Sequence, residues 1–187
     1  ASAPLRVGSP GADTIGGLTA AMAISAALNA RPRGCIIDVS MLESLLATMG
    51  WVLSNHLIGG QEPAANGNEN PTSAPSGTFQ TGDGLLNIAA NKDEQWASLC
   101  KHLGREDLAE DPRYRTREDR KANRHALRTV LETCLIRQSA QAWETELNAL
   151  GIPAGAVLTV PQVLQSDPLE GRDFLEEFSD TPGLDRP

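Results

Sequence analysis

Few residues in this sequence have both the type and the setting to do chemistry, and the first is Asp13. It lies in Gly11-Ala12-Asp13-Thr14-Ile15-Gly16-Gly17, a glycine-bearing loop that runs into an Ala- and Leu-rich stretch. A helix N-terminus favours an ionised carboxylate through its dipole and its free N–H groups. Glycines beside it let a substrate approach the backbone. An accessible, ionised carboxylate can attack an acyl group as a nucleophile. The same residue type at the same place is also an ordinary helix cap with no chemistry, so Asp13 or Thr14 is read as the N-cap as well. The second candidate is Ser73-Ala74-Pro75-Ser76-Gly77 with Gly82-Asp83-Gly84. A flexible segment beside a hairpin can close over a site, or can be a plain linker and turn. Arg113, Arg115, Arg117, Arg120, Lys121 and Arg124 form a basic run interleaved with Glu118 and Asp119. It reads as a solvated helix face, or as a contact for the phosphates of an acidic cofactor. His56, His102 and His125 are scattered through helical patterns, and no nucleophile–base pairing is legible among them. No phosphate-binding glycine loop, zinc-protease motif or Gly-x-Ser-x-Gly elbow occurs.

The elements that would hold these residues follow from periodicity. A helix is expected over 15–31, stopped by Pro32 and Gly34, then a short strand over 35–39. Ser40 caps a second helix, with Glu43 at the capping-box position and an apolar face through Leu42, Leu45, Leu46, Met49, Val52 and Leu53. Gly59-Gly60 ends it. Residues 60–77 are rich in Gly, Pro and Asn and read as a linker and domain boundary. Residues 78–81 and 85–89 around Gly82-Asp83-Gly84 read as a β-hairpin. Helices over 93–103, 126–135 and 139–150 follow. A short strand over 155–158, a capping-box helix from Thr159 and a final strand over 172–178 close the pattern. Trp51, Trp96 and Trp143 are expected in the core.

Composition bounds the class. The chain has 187 residues, 16 Lys plus Arg against 24 Asp plus Glu, and a formal charge of -8. Such a balance argues against nucleic acid or an anionic membrane as partner. Hydrophobic residues make up 40%, enough for a core. Cys35, Cys100 and Cys134 show no C-x-x-C spacing and read as buried thiols, with neither a metal site nor a disulfide framework. The most apolar run, Leu18 to Leu28, covers about 11 residues where a membrane span needs roughly 20. The expected location is the cytoplasm.

An ordered set of strings resembles the family III CoA-transferases. They are Asp13-Thr14-Ile15-Gly16-Gly17, Ala26-Ala27-Leu28-Asn29-Ala30-Arg31 and Asp38-Val39-Ser40-Met41-Leu42-Glu43, then Ala74-Pro75-Ser76-Gly77 with Asp83-Gly84. Trp96, Leu99-Cys100, Asp111-Pro112-Arg113-Tyr114, Arg120 with Asn123, and Gly151-Ile152-Pro153-Ala154-Gly155 complete it. The resemblance implies an α/β fold with a Rossmann-like large domain and a small α/β domain in interlocked subunits. The matching segments are 1–59 (part of the large domain), 60–77 (linker), 78–158 (small domain) and 159–187 (return linker). It further implies that Asp13 is the nucleophile, and that Gly16, Gly17, Ser76 and Gly77 line the coenzyme A site. No metal is implied. The expected partners are an acyl-CoA, a carboxylic acid, and a second subunit or partner polypeptide. In the family mechanism the Asp attacks the acyl-CoA thioester to give a mixed anhydride, and CoA thiolate converts this to an aspartyl-CoA thioester. The acceptor acid completes the exchange. A small-domain glycine loop shields these intermediates; Ser76-Gly77 occupies the matching place without a glycine run. Family members are roughly twice as long, so this chain is expected to be a central-to-small-domain portion, possessing the nucleophile but inactive alone. Two alternatives remain open. One is an α-methylacyl-CoA racemase-like isomerase, which shares the Asp but needs an upstream His and a longer glycine run. The other is a non-catalytic interlocking module.

Overall fold

The computed structural model describes residues 8–169, 171, 172 and 174. It is a mixed α/β structure, as expected, and the chain divides after Gly67 into two compact units. Residues 68–77 of the expected linker are thus grouped with the second unit.

The first unit holds three helices. α1 spans Gly11–Asn29, α2 Met41–Thr48 and α3 Gly50–Leu57. α1 starts earlier than the apolar pattern implied: Pro10 is the N-cap residue, and Thr14 N–H donates to Pro10 O at 3.0 Å. Asp13 is therefore inside the first turn rather than at the cap. Ser40 caps α2 as expected, its Oγ accepting from Glu43 N at 3.2 Å. The single helix expected from 40 to 59 is two, because Gly50 takes a positive φ of 42° that an α-helix cannot continue through. The strand expected over 35–39 is not formed. No other strand lies among the described residues of this unit, so its backbone has nothing to pair with.

Among the described residues this unit buries only Gly16 and Ser44. Leu18 is 67% exposed and Met22 70%, and Trp51, placed in the core by its spacing, is 54% exposed. Cys35 is likewise exposed rather than buried. These departures share one cause: helical spacing marks a face for burial, but the unit supplies no apolar layer to bury it against. α1, at 19 residues, is longer than its most apolar run, and by length and composition alone it could cross a membrane.

The second unit has its own core. β1 (Ser76–Gln80), β2 (Leu85–Ala89) and β3 (Ala154–Ala156) form an antiparallel sheet in that order. Ser76 pairs with Ala89 and Gln80 with Leu85, and Leu86 pairs with Ala156. Between β2 and β3 the chain runs through α4 (Asp93–His102), α5 (Glu106–Glu110), α6 (Arg117–Ala122), α7 (Arg124–Leu135) and α8 (Ala140–Ala149). After β3 come α9 (Val160–Leu164), with the expected Thr159/Gln162 capping box, and a 3-10 turn over Asp167–Leu169. The strand expected over 172–178 falls largely outside the described residues. Phe79, Leu86 and Ile88 from the sheet pack with Trp96 and Leu99 of α4, Leu131 and Leu135 of α7, and Trp143 and Leu147 of α8. Each fully buried Leu or Ile is worth about 1.5–3 kcal/mol. Trp143 keeps its indole N–H bonded to Leu135 O at 2.7 Å. Cys100 and Cys134 lie in this core, and burial pushes the Cys100 thiol up to about 12, which keeps it protonated and unreactive.

The hairpin turn is docked. Gly82 N donates to Gln138 O at 2.9 Å, and a Cβ there would lie 2.8 Å from that same oxygen. Asp83 Oδ1 accepts from Ala140 N at 2.8 Å, capping α8 from outside the helix alongside Ser139.

Candidate active site

Asp13 is exposed in the first turn of α1. Among the described residues its carboxylate has neither a hydrogen-bond partner nor an ion-pair partner. Helix geometry leaves the Ala12 and Asp13 N–H groups without intrahelical acceptors, so positive partial charge gathers where this carboxylate sits. Its oxygens are thus unengaged by any protein partner among the described residues. Two glycines follow one turn later and differ in setting. Gly16 is buried, and a Cβ on it would meet Met41 Cγ at 3.1 Å, so its missing side chain admits α2. Gly17 is exposed, with open space where a Cβ would go, and leaves the helix surface approachable.

Ser76 and Gly77 open β1 in the second unit, and both are buried. Gly77 has φ +151°, and a Cβ would stand 2.6 Å from Asn68 O, so only glycine fits. The reason is a chain segment lying along β1. Asn70 N donates to Ser76 O at 3.0 Å and Thr78 N to Asn68 O at 3.2 Å, and Glu69 bridges Gly77. Ser73-to-Gly77 is therefore not a loose lid; all five residues are buried.

What holds this segment is Arg120, which the basic-run reading placed on a solvated face. Its side chain is 0% exposed. Nε donates to Ala74 O at 2.9 Å, Nη1 to Tyr114 O at 3.1 Å and Arg115 O at 3.2 Å, and Nη2 to Asp93 Oδ1 at 2.7 Å. The guanidinium also lies 5.4 Å from the Trp96 ring centre. The rest of the run is engaged too. Arg113 forks onto Asp111, Arg115 donates to Glu110 O, Arg117 and Lys121 pair with Glu118, and Arg124 donates to Asn70 O. Each cation of the run thus has an intramolecular partner, a carboxylate for Arg113, Arg117 and Lys121 and a backbone carbonyl for Arg115.

The histidines do not assemble a base. His102 Nε2 pairs with Glu146 at 2.8 Å and His56 Nδ1 lies 3.3 Å from Gln61 O. No group of His, Cys, Asp or Glu able to hold a metal occurs among the described residues. Sequence reasoning missed Arg128 and Glu69, which pair with one another. The signal available was the i, i+4, i+8 spacing of Arg120, Arg124 and Arg128.

The exposed acidic groups of 105–124 give a pH dependence. Hydrogen bonds from Arg105, Arg113 and Lys121 hold Asp107, Asp111 and Glu118 below their ordinary values, and the Thr116 hydroxyl does so for Asp119. A depressed folded-state pKa adds stability above the unfolded value and loses it as pH falls through the folded one. The melting temperature of the second unit is expected to hold from pH 7 to about 5 and to fall below about pH 4. Thermal melts by circular dichroism would check this; a flat or rising curve down to about pH 2.5 would sink it.

The sequence matches CoA-transferase family III over residues 1–185, and the chain belongs to that family. It is 35% identical to the acetyl-CoA:oxalate CoA-transferase of Acetobacter aceti, over 92% of this chain and 45% of that protein. It is 34% identical to the succinyl-CoA:glutarate CoA-transferase of Mus musculus, over 86% of this chain and 37% of that one. In structure it is similar to a CAIB/BAIF family protein from Brucella suis, with a TM-score of 0.80 at 32% identity, covering 92% of this chain and 46% of that one. The chain thus spans under half the length of these relatives.

Proposed function

We propose that this chain carries the nucleophile and the small domain of an enzyme that moves CoA from an acyl-CoA to a carboxylic acid. The observation that carries the reading is the free, exposed carboxylate of Asp13 in the first turn of α1, in a chain of this family. An Asp13 oxygen attacks the thioester carbon of the donor, the C–S bond breaks, and CoA leaves as thiolate, giving a mixed anhydride. The thiolate attacks the aspartyl carbonyl, releases the donor acid and leaves an aspartyl-CoA thioester. The acceptor carboxylate attacks that thioester, expels CoA thiolate and forms a second anhydride. Thiolate attack on its acceptor carbonyl yields the new acyl-CoA and returns Asp13.

Gly17 leaves the helix surface beside Asp13 open to a substrate, and Gly16 lets α2 pack against the same helix. The two named relatives act on oxalate and glutarate, so a small dicarboxylate is the first acceptor to try. The uncovered apolar side chains of α1 to α3 fit burial by a second subunit or partner polypeptide of the cytoplasm, with no membrane, metal or nucleic acid required. The test is chemical trapping. Incubation with an acyl-CoA and hydroxylamine is expected to leave a hydroxamate on Asp13, located by peptide mass spectrometry; an unmodified Asp13 in an assembly that turns over would overturn the mechanism.

A further inference from the structure

We infer that Asn66-Gly67, at the boundary of the two units, is a site of spontaneous backbone modification, where asparagine converts through a cyclic imide to aspartate and isoaspartate. The sequence offers two places for imide chemistry, Asn66-Gly67 and Asp83-Gly84. In both, a glycine without a Cβ leaves its own amide nitrogen unhindered for attack on the preceding side-chain carbonyl carbon. The structure separates them. Asp83 Oδ1 accepts from Ala140 N at 2.8 Å, and Gly84 N–H donates to Thr81 Oγ1 at 3.3 Å. Electrophile and nucleophile are both held there. Asn66 and Gly67 are exposed and belong to no helix or strand. Gly67 N–H has no acceptor among the described residues, and open space surrounds the place where its Cβ would be. One hydrogen bond restrains the Asn66 amide, from Nδ2 to Ala64 O at 3.0 Å. Asn70 is followed by Pro71, which has no N–H to attack with. Every other asparagine is followed by a residue that carries a side chain.

The steps balance with water as the sole co-reactant. Gly67 N bonds to Asn66 Cγ, the Cγ–Nδ2 bond breaks, and the proton from Gly67 N ends on the departing ammonia. A five-membered imide remains. Water opens it at the side-chain carbonyl to give aspartate, or at the backbone carbonyl to give isoaspartate. In isoaspartate the main chain runs through Cγ and is one carbon longer. Either product places a new negative charge on the last two residues of the first unit, at its join to the second. Isoaspartate is also an acceptor for methyl transfer from S-adenosylmethionine to its free α-carboxylate, and that reaction supplies the probe.

The folded chain is aged in mildly alkaline buffer at physiological temperature, sampled over time and mapped by peptide mass spectrometry. Isoaspartate is counted with an isoaspartyl methyltransferase and labelled S-adenosylmethionine. Label is expected at residue 66, accumulating at least about tenfold faster than at residue 83 or at any other asparagine. In urea the bonds that hold Asp83 and Gly84 are lost, so label at residue 83 is expected to rise while that at 66 changes little. Alkaline hydroxylamine, which opens the imide, is expected to cut the chain into 1–66 and 67–187. That cut needs no acyl-CoA, which distinguishes it from the hydroxamate on Asp13. Asn66→Gln, whose ring closure needs six members, should lose both the label and the cut. Conversion at residue 66 no faster than at the other asparagines of the folded chain would overturn the site. Equal conversion at 66 and 83 in the folded chain would overturn the structural distinction between them, and an Asn66 that converts only in urea would overturn its accessibility.

Discussion

Asp13→Asn is expected to abolish CoA transfer, lowering kcat by about 10³-fold or more while leaving the fold intact. The amide nitrogen and oxygen of Asn share the shape of the carboxylate but not its charge, and a neutral amide does not displace a thiolate. The anhydride and the aspartyl-CoA thioester both need the carboxylate carbon, so one substitution stops every step. Asp13→Glu keeps the charge but moves it by one methylene, and a misplacement on the order of 1 Å costs about 10²-fold. Stability separates this from unfolding. Asp13 is exposed and has no side-chain partner among the described residues, so Asn forfeits only the interaction with the helix N-terminus, about 0.3–1 kcal/mol. Steady-state assays beside thermal melts check both halves. Transfer retained within about tenfold in Asp13→Asn would remove Asp13 from the chemistry.

Arg120→Ala is expected to have the largest effect on stability, about 3–5 kcal/mol. Three backbone carbonyls, those of Ala74, Tyr114 and Arg115, would lose a charged donor in a region with little access to water. Truncation would also open a cavity against Trp96. The ion pair with Asp93 is not the source of this cost. Asp93 is 75% exposed, and water replaces the guanidinium when the arginine is gone. Asp93→Asn is therefore expected to cost under about 1 kcal/mol. Urea unfolding of the two variants decides the matter; equal losses would place the energy in the ion pair instead of in the carbonyl clamp.

Local signals read well wherever a residue's neighbours in sequence are also its physical partners. The Ser40, Ser139 and Thr159 caps each accept or bond within three residues, and the Gly82-Asp83-Gly84 hairpin needs only its own turn. Trp96, Leu99 and Cys100 mark one face of α4, and the second unit has a core to receive it. Asp13 was legible for the same reason: a carboxylate, glycines and a helix start within seven residues are a local pattern. The short helices α5 and α6 were harder, because charged residues dominate them and no apolar stripe announces a period.

The sequence by itself determined the acidic charge, the caps, the hairpin, the core faces of the second unit, the family resemblance and the carboxylate that is the candidate nucleophile. Only the tertiary structure decided which polar residues are buried and which apolar ones are not. Arg120 looks like its solvated neighbours in a charged run, yet it is clamped 46 residues from its partner Ala74, a distance along the chain that no periodicity encodes. Trp51 and Leu18 look like core residues, yet they stand exposed because nothing among the described residues of their unit covers them. Burial is a property of what arrives from elsewhere in the chain, and spacing along the sequence records only which face awaits it.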